Sequence, residues 1–204
     1  MTRPIARRTG GRRRVGLLGG SFNPAHEGHR HVSRMALDRL GLDEVWWLVA
    51  PQNPLKPADE MAPLTERMEG ARAWAEGPRM RVTDIERELG TQFTADTLKA
   101  LKKRFPGHRF VWLMGADNLI EIPRWRDWTA IFRTVPVAVF ARPSYSFRAL
   151  TSKAARRFAR HRVRKNRAAD LAERRPPAWV FLHIPLSAQS ASGIRARAQT
   201  RRGR

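Results

Sequence analysis

Cysteine is absent from this 204-residue chain. That absence excludes disulfides, thiolate zinc sites, iron–sulfur clusters and a catalytic thiol. It fits a reducing compartment. Long apolar runs are missing too, and no stretch approaches the roughly 18 residues that span a bilayer. The basic start, Met1 to Arg14, imitates a targeting peptide. The apolar stretch behind it, Val15-Gly16-Leu17-Leu18, is shorter than the roughly 7–15 residues of a signal core. These features point to a soluble, cytoplasmic protein with no membrane partner. Acids are scarce: 18 Asp and Glu face 40 Lys and Arg, for a net charge of +22. The length suits one domain with appendages, and no internal repeat is visible.

The positive charge is unevenly placed. Residues 1–14 hold six Arg, residues 150–175 hold ten Lys and Arg against Asp170 and Glu173, and residues 195–204 hold five Arg. These three segments carry +19 of the +22. The chain therefore divides into a basic, disordered tail over 1–12, one domain over 13–198, and a second basic tail over 199–204. Within the domain, an Arg/Ala-rich insertion around 148–175 is expected to be helical or partly disordered. Such charge suggests nucleic acid, a membrane surface or phosphorylated ligands. Arg outnumbers Lys 34 to 6, so a compositional bias accounts for the tails equally well. Nonspecific nucleic-acid contact by the tails stays open, as does a homo-oligomer.

Short apolar runs alternate with helical periods. Arg14–Leu18, Glu44–Val49, Met80–Ile85, Arg109–Met114, Val135–Ala141 and Trp179–Ile184 read as strands. Glu27–Leu40, Leu64–Ala75 and Ala95–Phe105 read as helices, with Thr65 and Thr94 as caps. A short helix is expected near Ser192–Ala198. This alternation predicts an α/β fold, Rossmann-like, with a mostly parallel central sheet flanked by helices. Ligands in such folds sit beyond the carboxyl ends of the strands. That rule directs attention to the loops after Leu18, Val49, Met114 and Ile184.

The first of these loops reads Gly19-Gly20-Ser21-Phe22-Asn23-Pro24-Ala25-His26-Glu27-Gly28-His29. Glycines let backbone N–H groups approach an anion, and the next helix aims its unpaired N–H groups at the same place. His26 and His29, three apart, share one helix face. The Gly spacing is not that of the dinucleotide fingerprint. A zinc pair would favour i, i+4 spacing and a third ligand, so no metal site is expected. A plain turn with two solvent histidines is the bland alternative.

The whole string, Gly-Gly-Ser-Phe-Asn-Pro-x-His-x-Gly-His, resembles the signature of the HxGH nucleotidyltransferase superfamily. The Phe-Asn-Pro-x-His version is most similar to the bacterial nicotinate-nucleotide adenylyltransferases. Phosphopantetheine adenylyltransferases carry Thr at the first His position. Other segments resemble the same family in the right order. Pro51-Gln52-Asn53-Pro54-Leu55-Lys56-Pro57 matches a loop whose Lys contacts triphosphate, with Leu55 where the family commonly has His. Gly115-Ala116-Asp117-Asn118 resembles the Gly-x-Asp segment that binds ribose hydroxyls or an active-site network. Read alone, Asp117 would be a helix cap. Pro123-Arg124-Trp125-Arg126 resembles the Pro-x-Trp segment, whose Trp stacks on pyridine while main-chain N–H groups hold its carboxylate. Trp128 is expected in the core. Thr94-Ala95-Asp96-Thr97-Leu98 resembles the stretch that supplies a second backbone donor. Ser190-Ala191-Ser192-Gly193-Ile194-Arg195 resembles the phosphate-binding Ser-x-Thr-x-Ile-Arg signature, with Ser192 in place of Thr.

The resemblance implies transfer of AMP from ATP to nicotinate mononucleotide, with release of pyrophosphate, in NAD biosynthesis. It implies His26, His29, Lys56 and Arg195 as catalytic groups. It implies Gly19, Gly20, Ser21, Phe22, Ser190, Ser192 and Ile194 around ATP. Asn23, Thr94, Asp117, Trp125 and Arg126 would hold nicotinate mononucleotide. Mg²⁺ would ride with ATP rather than in a protein cage. The substrate phosphate is itself the nucleophile, which agrees with a chain lacking Cys and any Ser–His–Asp set. Two other readings are adenylyl transfer to another acceptor such as nicotinamide mononucleotide, and a basic RNA-binding module. Class I aminoacyl-tRNA synthetases share His-x-Gly-His, but their Lys-Met-Ser-Lys-Ser-like loop and anticodon domain are missing.

Overall fold

The computed structural model describes residues 12–52, 61–141 and 145–184. Six strands form one sheet: β1 (Arg14–Gly20), β2 (Glu44–Val49), β3 (Met80–Thr83), β4 (Arg109–Gly115), β5 (Val137–Phe140) and β6 (Trp179–Leu182). Their spatial order is β3-β2-β1-β4-β5-β6, and every neighbouring pair is parallel. Burial on both faces explains why β2, β4, β5 and β6 are almost continuously apolar rather than alternating.

Successive side chains still divide between two cores. Val15, Leu17, Trp46, Leu48, Trp112 and Met114 point to one face. There they meet α3 (Ile85–Glu88), α4 (Thr94–Arg104), α5 (Ala116–Glu121), α6 (Trp128–Thr134), α7 (Ser146–Leu150) and α8 (Lys153–Arg157). Leu18, Val45, Trp47, Val111 and Leu113 point to the other face, toward α1 (Glu27–Arg39) and α2 (Leu64–Trp74). Val32, Ala36 and Leu37 form the buried stripe of α1.

Several boundaries differ from the sequence expectation. Thr65 does not cap α2, because Pro63 takes the cap position and no side chain bonds there. Thr94 is the first helical residue of α4, with Phe93 at the cap. The third strand stops at Thr83, and Ile85 opens α3 and turns into the core instead. Val135 ends α6 rather than starting β5. Trp128 is half-buried, edge-on to Phe132 and Phe158. The basic tails and the short helix expected near Ser192–Ala198 lie outside the described residues.

The Arg/Ala-rich insertion is ordered and joins the two faces. Ala149, Ala154, Ala155 and Phe158 pack into the first core, while Ala168, Leu171 and Ala172 of the 3-10 segment Lys165–Glu173 pack into the second. Between them the chain passes the edge of β6, where Val163 N–H donates to the Trp179 carbonyl at 2.7 Å. Trp179 Nε1 donates to the Phe158 carbonyl at 2.8 Å. Small alanines point inward and arginines outward, so one segment closes both cores at the sheet edge.

Pairing between β1 and β2 continues to Gly20↔Val49, but pairing between β1 and β4 ends at Leu18↔Leu113. The two central strands therefore part at their carboxyl ends, where the strand order reverses, and a crevice opens there. Gly19 lies at that parting. A Cβ on it would fall 2.3 Å from Cη2 of Trp112, whose indole packs beneath. Gly19→Ala should destabilise the fold by about 1–3 kcal/mol through overpacking. Thermal denaturation checks this, and pairing the change with Trp112→Leu should restore part of the loss.

Candidate active site

The chain leaves β1 through a tight loop. Phe22 takes a left-handed φ of 47°, and its ring turns inward onto Trp47 of β2 with centroids 5.0 Å apart and planes 10° from parallel. The Asn23 Oδ1 accepts from the Ala62 N–H at 3.4 Å, tying this loop to the approach of α2. α1 then starts at His26.

Two histidines close the helix start reciprocally. Gly28 N–H donates to His26 Nδ1 at 3.0 Å, and His26 N–H donates to His29 Nδ1 at 3.2 Å. The ring centroids lie 3.9 Å apart. This is a capping box with imidazoles in place of the usual Ser and Glu. A ring nitrogen that accepts carries no proton, so the network assigns the proton of each ring to Nε2. His29 is steadied by Phe22 at 4.8 Å and Trp47 at 5.8 Å between centroids. Trp47 Nε1 donates to Ser33 Oγ at 2.7 Å, and Ser33 Oγ donates to the His29 carbonyl at 2.9 Å. Strand β2 thereby fixes the first turn of α1.

Arg67 of α2 joins this frame, and the sequence reading missed it. Its side chain is 4% exposed and faces no carboxylate among its hydrogen-bond partners. Nε donates to Ala62 O, Nη1 donates to both Ser21 O and Ala50 O, and Nη2 donates to Pro51 O, all at 2.8–2.9 Å. Burial lowers its pKa from the ordinary arginine value. A buried guanidinium persists only when its N–H groups are satisfied, so the loops after β1 and β2 are held to one geometry. A signal was available: Leu64, Met68 and Ala71 form the apolar stripe of α2, and Arg67 sits within it.

A second cluster shapes the segment before α4. Thr97 Oγ1 donates to Glu86 Oε1 at 3.1 Å and lies 2.9 Å from Thr91 Oγ1, while Thr91 N–H donates to the Glu86 carbonyl at 2.9 Å. Thr94 lies inside the segment so held. Arg126 places its guanidinium 4.6 Å from the Phe93 ring centroid, which brings the Thr94 and Trp125–Arg126 segments together. Trp125 is half-buried against the first core and Arg126 is exposed. Asp117 sits in the first turn of α5 directly after β4, with Oδ1 buried. It is not the cap, since Gly115 occupies that position.

The expected residues therefore gather at the carboxyl ends of the strands. Gly19 and Gly20 end β1, Ser21, Phe22 and Asn23 form its loop, and His26 and His29 begin α1. Asp117 follows β4, while Thr94, Trp125 and Arg126 lie together on the first face. Lys56, Ser190, Ser192, Ile194 and Arg195 lie outside the described residues. Among the described residues no group of three or more His, Asp or Glu could hold a metal ion, and no helix is long and apolar enough to cross a membrane.

Residues 17–197 match the cytidylyltransferase-like family model. A relative from Caulobacter sp. (strain K31), named "Probable nicotinate-nucleotide adenylyltransferase", is 56% identical over 90% of this chain and 97% of its own. A relative of the same name from Cereibacter sphaeroides (strain ATCC 17025) is 59% identical over 89% of this chain and 96% of its own. The chain belongs to the nicotinate-nucleotide adenylyltransferase family. The solved Plasmodium falciparum nicotinic acid mononucleotide adenylyltransferase complexed with NaAD superposes with a TM-score of 0.66. That match covers 90% of this chain and 83% of that one. At 16% identity it shows that the family's fold is shared.

The Glu86 cluster generates a test. Burial pushes the Glu86 carboxyl from its ordinary 4.5 up to about 7, against the opposing hydrogen bond from Thr97. Between those values the unfolded chain ionises Glu86 while the folded protein keeps it protonated. Stability therefore falls as pH rises through that window, by roughly 3 kcal/mol at most, and stays low above it. Glu86→Gln should remove this fall. Melting temperatures measured from pH 4.5 to 8 check it: the variant should gain on the wild type as pH rises.

Proposed function

We propose that this chain joins nicotinate mononucleotide to the adenylyl group of ATP, giving nicotinate adenine dinucleotide and pyrophosphate as a step in NAD biosynthesis. The observation that carries the reading is the pair of imidazoles capping α1 at the crevice between β1 and β4. The names of relatives matched along nine-tenths of the chain support it.

In this reading the 5′-phosphate oxygen of the mononucleotide attacks the α-phosphorus of ATP. A P–O bond forms to the α-phosphorus as its bond to the bridging oxygen of pyrophosphate breaks, and the electron pair leaves with pyrophosphate. No protein nucleophile takes part. The task of the chain is to align two anions and neutralise the charge that develops. His26 and His29 supply Nε2–H donors to the phosphates at the positive end of the α1 dipole. The amides of Gly19, Gly20, Ser21 and Phe22 line the same loop. Lys56 and Arg195, with Ser190, Ser192 and Ile194, complete the triphosphate side. Mg²⁺ riding with ATP would supply further charge neutralisation.

For the acceptor, Asn23 and Asp117 hold the ribose phosphate portion and Trp125 stacks on the pyridine ring. Main-chain N–H groups at Thr94 and Arg126 receive the nicotinate carboxylate. Two N–H donors suit an acid better than the half-donor, half-acceptor amide of nicotinamide mononucleotide. With ATP as substrate and no cysteine to protect, the cytoplasm is the fitting compartment.

A pyrophosphate-release assay tests the reading with both mononucleotides as acceptors and phosphopantetheine as control. Nicotinate mononucleotide should give the highest kcat/KM. His29→Ala should lower kcat by about 10²–10³, the effect of removing one positioned transition-state donor, with the fold retained by circular dichroism. A folded variant with near-normal kcat, or equal use of both mononucleotides, would contradict it.

A further inference from the structure

The catalytic loops occupy one end of the sheet. At the other end, just before β6, a cavity of about 780 Å³ opens where the Arg/Ala-rich segment rounds the sheet edge. Pro177 and Ala178, which lead into β6, form part of its wall. Because every strand is parallel, this cavity lies at the amino ends of the strands, away from the crevice.

Six arginines line it: Arg160, Arg162, Arg164, Arg167, Arg174 and Arg175. Asp170 pairs with Arg167 at 2.7 Å, and neighbouring Glu173 pairs with Arg109 at 3.5 Å. The other five have no carboxylate partner among the described residues. Such crowding of like charge opposes folding unless an anion offsets it.

The arrangement is built rather than random. Arg162 is held with its guanidinium 5.4 Å from the Trp179 ring centroid and 5.9 Å from that of Phe181. A backbone bridge between Arg162 and Trp179 fixes the chain there. The volume lies within the range of small-ligand sites. Planar guanidinium forks match phosphate oxygens bidentately. Trp179 and Phe181 are themselves buried, which leaves His161 as the one ring in a lining of six guanidinium groups. That favours a ligand that is phosphate throughout over a nucleic acid.

We propose that this arginine-lined cavity at the amino end of β6 binds a condensed phosphate, of the inorganic triphosphate and polyphosphate class. The proposal is independent of the adenylyl-transfer reading. It gives the Arg/Ala-rich segment a ligand of its own, and it explains why five of the six arginines converge there without a carboxylate partner among the described residues.

The test titrates sodium tripolyphosphate into the full-length protein by calorimetry, with a saturating non-hydrolysable ATP analogue present to occupy the triphosphate side of the crevice. Binding should saturate at one site and weaken as salt is raised. The double variant Arg160→Glu/Arg164→Glu changes two exposed positions, and it should lose affinity about tenfold or more, equivalent to about 1.4 kcal/mol. Its melting temperature and its kcat for adenylyl transfer should stay near wild type. Arg175→Glu, at a separate exposed position, should weaken binding in the same direction. Four outcomes would overturn the proposal: no binding, affinity unchanged in both variants, affinity lost equally in His29→Ala, or a single-stranded RNA binding the cavity while tripolyphosphate does not.

Discussion

The reciprocal cap between His26 and His29 is the contact through which the fold and the chemistry meet. A helix start leaves N–H groups without partners, and most proteins satisfy them with hydroxyl or carboxylate oxygens. Here two imidazole Nδ1 atoms do so. The choice has a chemical consequence. It commits each ring to the Nε2–H form and fixes the ring planes against each other, so Nδ1 of each ring serves the helix while Nε2–H is the donor that the proposed function assigns to phosphate. The stacked Phe22 and Trp47, and the relay from Trp47 through Ser33 to the His29 carbonyl, keep that arrangement from relaxing.

The rest of the site is organised to hold this helix start against an opening in the sheet. β1 and β4 part beyond Leu18 and Leu113, which creates the crevice. Left alone, the loops bordering it would be free to move. Arg67 prevents this by binding carbonyls from the β1 loop, the β2 loop and the approach to its own helix. A lysine has fewer donors and no planar fork, and would not span these acceptors. Donors that are already in place need no reorganisation when charge develops, which is where electrostatic catalysis gains most.

Local information was readable from the residues, and relations between distant segments were not. The strands after residues 14, 44 and 109 and the helix from Glu27 followed from apolar runs and periodicity. His26 and His29 could be placed on one face by spacing alone. Their capping role could not, because nothing in the residue types says that an imidazole will replace a hydroxyl. Gly19 illustrates a second kind of gap. Spacing suggested room for an anion, whereas the immediate constraint is the Trp112 ring from a strand nearly a hundred residues away. The roles of Arg67 and Glu86 were not readable, since their partners are carbonyls and hydroxyls contributed by other segments. The insertion read as charge-rich and either helical or partly disordered. Its alanines, spaced to reach both cores, are what order it.

The account depends most directly on the protonation geometry of the two histidines. Nitrogen-15 NMR of the imidazole rings in the folded, ligand-free protein at neutral pH reads it. The account predicts that His26 and His29 both carry their proton on Nε2, with Nδ1 showing the signature of a hydrogen-bonded acceptor. A proton on Nδ1 of either ring, or a pair of imidazolium ions, would contradict it.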